Sequence, residues 1–448
     1  MEPHPRSPGR PEAYDAPNPH NSKGPLMLIR TRRTRWAAAL AAIAVATLAL
    51  TSCSDSGAEG DEEITLWTWP GGLSETVTSA AVSEFPEADL EVSTIGDDFK
   101  QKLVTAFTGR SGIPSITGVK GEDMPYFLQE ADLFTDLNTL DIDDLLDDFP
   151  DWKIEEATTA DGKLIGLPTD IGPTALFYRT DILAEAGLPT DPTEVAAATS
   201  TWEDYFTWGE QLKARTGTFL EVSLSDVFNK AMGQGETKFV AENGDFLGDT
   251  DTVRAAWDLA IDAWDRGIVA GIQDGSTDWA SAVSNGTLPT LLGAAWYQGD
   301  IKSNAPDTSS LWKVTAMPGG PANIGGSFLT IPAATEDKEA ALEIIKFLVS
   351  PENQATTYSE IGNFPSSISA IDAPALQEPD EFFGGQVTTD VFREASENMP
   401  TNYTSPIDNE VSAPYFTELI NIESLGKDPE QAWDDAVAAA KQVWETAQ

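Results

Sequence analysis

The chain has 448 residues, with 27 lysines and arginines against 73 aspartates and glutamates, a net charge of −46. So acidic a surface repels phosphate backbones, which excludes nucleic acid as a partner. A single cysteine rules out an internal disulfide, and the two histidines, His4 and His20, leave everything beyond them without an imidazole for a nucleophile triad or a zinc site.

In chain order, residues 1–26 are Pro-rich and patternless, and Met27 looks like the natural start. Arg30, Arg32, Arg33 and Arg35 then form a positive head before 15 uncharged, mostly apolar residues, Trp36 to Leu50. That run is shorter than the ~20 residues that cross a bilayer comfortably, so it reads as a secretory signal. It ends in Leu50-Thr-Ser-Cys53, which resembles a lipobox, whose cysteine is acylated and becomes the first mature residue. Residues 1–52 are therefore expected to be an extension plus lipoprotein signal, with the protein exported and anchored to the outer face of the cell membrane by lipidated Cys53. Seven of the 27 basic and three of the 73 acidic residues precede Cys53, so the remainder carries 20 against 70. Residues 53–62 are apolar-poor and predict a flexible tether.

The rest alternates strand-like and helix-like segments, the pattern of an α/β protein. In Ile64 to Trp69, Ile64 and Leu66 share one face, with Thr65, Trp67 and Trp69 on the other. Leu90–Ile95 and Ser115–Val119 are further strands. Thr174–Tyr178 is a strand leading into a helix capped at Thr180-Asp181 and stopped at Gly187. Thr201 caps the next helix, which has an acidic first turn. The stripe Val253, Ala256, Trp257, Ala260 and Trp264 predicts a helix over 251–266 and makes both tryptophans core residues. Ser350-Pro351 and Asp428-Pro429 are caps with proline at the first helical position. No nucleotide-binding glycine loop is present, and Asp274 to Asp278 lacks the ligand spacing of an EF-hand, so neither a cofactor nor a metal is expected.

Three stretches in order resemble the extracellular solute-binding proteins of sugar ABC importers, of the maltose-binding type. They are Gly162 to Pro168 running through Phe177-Tyr-Arg-Thr-Asp181 to Thr201-Trp-Glu-Asp-Tyr205, then Ala294-Ala-Trp-Tyr-Gln-Gly-Asp300, then Gly325 to Pro332 with Ser350 to Gln354. The resemblance implies a two-lobed periplasmic-binding-protein fold (type II), with a ligand cleft between lobes joined by crossings near Ile171–Leu176, Val314–Pro318 and Ile361–Phe364. It places residues 63–172 and 319–360 in an N-lobe and 173–318 and 361–448 in a C-lobe. It implies a monomeric receptor, not an enzyme, that hands a sugar to permease subunits with a separate ATPase.

Pyranoses pair apolar faces with hydroxyl rims, so aromatic planes and carboxylates suit them. Trp67 and Trp69 precede Pro70-Gly-Gly72, where the first strand should end at the cleft, although Trp67 fits sheet core equally well. The resemblance puts a stacking aromatic at Trp296-Tyr297, and Trp279 lies outside a clear helical stripe. Asp170 and Gly172 flank the first crossing, with Gly172 leaving room for ligand, and Asn363 and Phe364 follow the third. Lys120 and Glu122 occupy a loop where related proteins contact ligand, although Ile113-Pro-Ser115 replaces the usual Ala-Pro-Asp there. Without histidine, affinity is expected to change little between about pH 6 and 8. A carboxylate-based glycosidase or a receptor for a polyamine are the competing readings.

Overall fold

The first strand, β1 (Thr65–Thr68), buries Leu66 and Thr68 on one side, as the alternation predicts. The structure, a computed structural model, describes residues 63–96 and 98–447; Cys53, the signal stretch and the tether lie outside them. Along the chain follow β2 (Glu91–Thr94), β3 (Ile116–Lys120), β4 (Leu167–Ile171), β5 (Thr174–Arg179), β6 (Thr290–Ala294), β7 (Trp312–Thr315), β8 (Ser327–Thr330) and β9 (Phe364–Pro365). They make two sheets, ordered β2-β1-β3-β8-β4-β9 and β6-β5-β7. In the first, β1 runs parallel to β2 and β3, and β8, β4 and β9 join antiparallel. The second is antiparallel throughout. Each sheet carries its own helices, giving a two-lobed α/β fold.

Only Gly172 and Pro173 separate β4 in the first sheet from β5 in the second. Residues 316–326 return from β7 to β8, and the two connections touch. Gly172 N–H donates to the Asn323 side chain, and its carbonyl accepts Ile324 N–H at 2.9 Å. A Cβ at position 172 would lie 1.8 Å from the Ile324 carbonyl oxygen. Gly172 therefore makes room for the second connection, not for ligand as expected from the sequence. β9 hydrogen-bonds to β4 in the first sheet, yet Phe364 packs in a cluster with Phe177, Trp279 and Phe392 of the second lobe. The third connection thus belongs to both lobes rather than opening the second at residue 361.

β5 is buried along its whole length because both faces are covered. Leu176 and Tyr178 enter one core with Trp257, and Ala175 and Phe177 enter another with Trp279. The helix Asp251–Asp265 forms as its stripe predicts, with Trp257 fully buried and Trp264 packed at the margin. Thr201, Ser350 and Asp428 side chains each accept backbone N–H groups at their helix starts. The helix Thr180–Glu185 differs from expectation. Arg179 is its cap residue, and Asp181 binds the Arg179 guanidinium through two hydrogen bonds of 2.7 and 2.8 Å. Among the described residues no helix is long and apolar enough to cross a membrane.

Candidate ligand-binding cleft

A cavity of about 700 Å³ opens where the ends of β1, β3 and β4 face the segment that follows β6. Six of the residues proposed from the sequence line it: Trp69, Lys120, Glu122, Asp170, Trp296 and Asn363. Trp69 comes just past β1, where the chain leaves the sheet. Glycines hold its ring, since a Cβ at Gly118 would meet it at 2.6 Å and one at Gly72 at 2.9 Å. Phe99 packs edge-on at 5.2 Å, and Lys120 Nζ stands 5.4 Å from the ring centre. Trp296, half-buried, precedes the helix Tyr297–Asn304 on the second lobe. Its ring lies against Gly325, where a Cβ would approach to 2.7 Å. Each lobe therefore presents one partly exposed indole to the same space.

Polar groups fill the wall between them. Asp170 is buried and accepts Thr169 Oγ1 at 2.8 Å. Burial pushes its carboxyl up, opposed by the hydrogen bonds of Thr169 and Ser327 and by the charge of Lys153. Lys153 is itself fully buried, paired with Glu156 at 2.8 Å and seated 4.0 Å over Phe328. Glu122 keeps contact with solvent, but the walls of the cleft desolvate it and raise its carboxyl as well. Asn363 donates to the Gly71 carbonyl at 3.0 Å, tying the third connection to the loop after Trp69. Across the opening Asn409 of the second lobe donates to the Glu122 carbonyl at 2.9 Å.

Five other proposed residues stand elsewhere. Gly172 lies at the crossing already described. Trp67, on the face of β1 opposite Leu66, is partly buried, stands 5.0 Å from Lys102 Nζ, and packs against the first-lobe core rather than lining the cavity. Trp279 is only 2% exposed because it lies on a helix, Thr277–Asn285, whose stripe of Trp279, Ala282 and Val283 went unread in the sequence. Tyr297 is buried against Phe177 and Trp279, its hydroxyl donating to Asp274. Phe364 is fully buried in β9, edge-on to Tyr358.

Sequence reasoning missed Asp300, Lys302 and Glu360, which also line the cavity. Asp300 ends the Ala294–Asp300 stretch that resembles solute-binding proteins and Glu360 lies just before the third crossing, so proximity to those segments is the signal the sequence offers. Asp300 lies one turn beyond Trp296, and desolvation together with the charge of Asp274 pushes its carboxyl up to about 6. Glu360 accepts from the Ser74 hydroxyl, and Lys302 is paired with Asp380 at 2.7 Å. Two indole planes with carboxylates, lysines and an amide between them can stack against flat apolar faces and accept hydrogen bonds from hydroxyls.

The family model for bacterial extracellular solute-binding proteins matches residues 86–384. The chain belongs to this family. A solved extracellular solute-binding protein of family 1 superposes with a TM-score of 0.75 at 28% identity, covering 85% of this chain and 99% of that one. An arabinooligosaccharide-binding protein of Halalkalibacterium halodurans is 24% identical over 85% of this chain and 89% of its own length. A lactose-binding protein of Rhizobium radiobacter is 27% identical over 83% and 91%. The family and these relatives are binding proteins. In this chain the cleft lies where the two lobes meet, beside the connections at residues 172–173, 316–326 and β9.

Proposed function

We propose that this chain is a lipid-anchored extracellular receptor that holds a sugar or short oligosaccharide in the interlobe cleft and delivers it, chemically unchanged, to an ABC permease. The observation that carries this reading is the pair of half-exposed indoles, Trp69 and Trp296, facing one cavity from opposite lobes with Asp170, Glu122 and Asp300 around it. The names of the relatives, binders of arabinooligosaccharides and of lactose, support the ligand class. A thermal-shift screen over mono- and oligosaccharides tests it. A ligand at 100 times its dissociation constant should stabilise the fold by about 2.7 kcal/mol. No shift with any sugar, or release of hydrolysis products, would sink the proposal.

Delivery requires export and tethering. Cys53→Ala should leave the protein unprocessed or release it to the medium, with loss of acyl labelling. A cell-attached mutant with unchanged acyl label would mean that Cys53 is not the anchor.

The cleft carboxyls also alter the expected pH response. Asp300 is held at about 6, so its ionisation costs the unliganded fold stability as pH rises through that value. Ligand hydroxyls donate to the ionised form and lower its pKa. Affinity is therefore expected to be full at pH 8, to fall by about half at pH 6, and to be down by up to about tenfold at pH 5. Titration calorimetry should show this slope in the wild type and a flatter one in Asp300→Asn. An equally steep slope in both would assign the effect to another carboxyl.

A further inference from the structure

A second cavity, of about 560 Å³, lies in the second lobe and shares no lining residue with the cleft. Three segments build it: the start of the helix Leu224–Gly233, the loop 271–274, and the helix Asp408–Leu425. Its lining includes the carboxylates Asp226, Asp274 and Glu423 and no lysine or arginine. Asp226 is only 8% exposed; its Oδ1 accepts Lys230 Nζ at 2.7 Å, but its Oδ2 is buried without a hydrogen-bond partner among the described residues. The neighbouring Ser225 Oγ is equally unpartnered. Such buried polar atoms ordinarily have partners, and an acceptor left alone costs the fold its desolvation.

Lys230 stands directly against this wall. It is 4% exposed and is shared among Asp226, Asp274 and the buried Glu221, and burial pushes the carboxyls of Asp226 and Glu221 up, so a further cation here would favour their ionised forms. The helix Asp408–Leu425 adds Phe416, half-buried, and Ile420, 53% exposed, on the same element as Glu423. Among the described residues no three carboxylates or other ligating side chains converge closely enough to hold a metal ion. The arrangement suits a molecule with separated donors and an apolar body. We propose that this cavity binds a small organic cation, its ammonium groups directed at the Asp226 side and its aliphatic body on Phe416 and Ile420.

The probe is 1,4-diaminobutane, titrated into the purified protein by calorimetry, with 1,4-butanediol and calcium as controls. The diamine should bind, and salt should weaken it because the attraction is between charges. Asp226→Asn and Ile420→Lys should each weaken it by about tenfold or more, since one removes the acceptor charge and the other puts a cation at the mouth. Ile420 is exposed, so that variant decides the matter even if Asp226→Asn, which strands Lys230, folds poorly. Sugar binding in the cleft should be unchanged in Ile420→Lys. The proposal fails if the diamine does not bind at millimolar concentration, if butanediol binds equally well, if calcium displaces the diamine, or if Ile420→Lys retains full affinity.

Discussion

Trp296→Ala is expected to weaken oligosaccharide binding by about 2 kcal/mol or more, because buried aromatic anchors dominate contacts of this kind. The ring is only half-buried and rests on Gly325, so little of the core depends on it. Fold stability should accordingly drop far less than the roughly 3–5 kcal/mol of a truncated core tryptophan. Trp279→Ala supplies the contrast. That side chain is 2% exposed, packed against Tyr297, and away from the cleft lining. It should lose the full core increment in thermal melts, while the surviving folded protein binds sugar with near wild-type affinity. Calorimetry and melting curves on the two variants separate platform from core. Wild-type affinity in Trp296→Ala with a large loss of melting temperature would reverse the assignment and leave Trp69 as the principal platform.

Gly172→Ala should be among the most damaging single-methyl changes in the protein. Its added Cβ would lie 1.8 Å from the Ile324 carbonyl oxygen, within a backbone pairing that joins two of the three interlobe connections. Neither backbone can retreat without breaking the hydrogen bonds between residue 172 and residues 323 and 324. Overpacking of this kind costs roughly 3 kcal/mol, and more where the obstacle is backbone rather than side chain. Thermal melting and ligand titration of this variant are both expected to suffer, since the crossing positions Asp170 on one side and Gly325 on the other. A stable variant with unaltered binding would show that the crossing tolerates a shift that its geometry does not suggest.

Local patterns in the sequence were enough for several elements. The 3.6-residue stripe around Trp257 specified a buried helix, and the serine, threonine and aspartate caps at 201, 350 and 428 took their expected hydrogen bonds. Each depends on residues three or four apart, so no long-range information is needed. The alternation from Ile64 also sorted the faces of β1, and the ordered stretches resembling solute-binding proteins pointed to the family and its two-lobed fold.

What only the tertiary structure decided is which side chains share a cavity. Trp67 and Trp69 are equivalent by alternation and both pack against the first-lobe core, but β1 ends at Thr68, so Trp69 alone of the two also lines the cleft. Trp296 and Tyr297 are adjacent, yet a helix beginning at Tyr297 turns one towards the cleft and the other into the core. The role of Gly172 depends on Ile324, about 150 positions away, and the raised pKa of Asp300 on Asp274 and the walls around it. Local periodicity reports which face of an element is apolar; convergence, desolvation and close backbone contact arise only when distant segments are packed together.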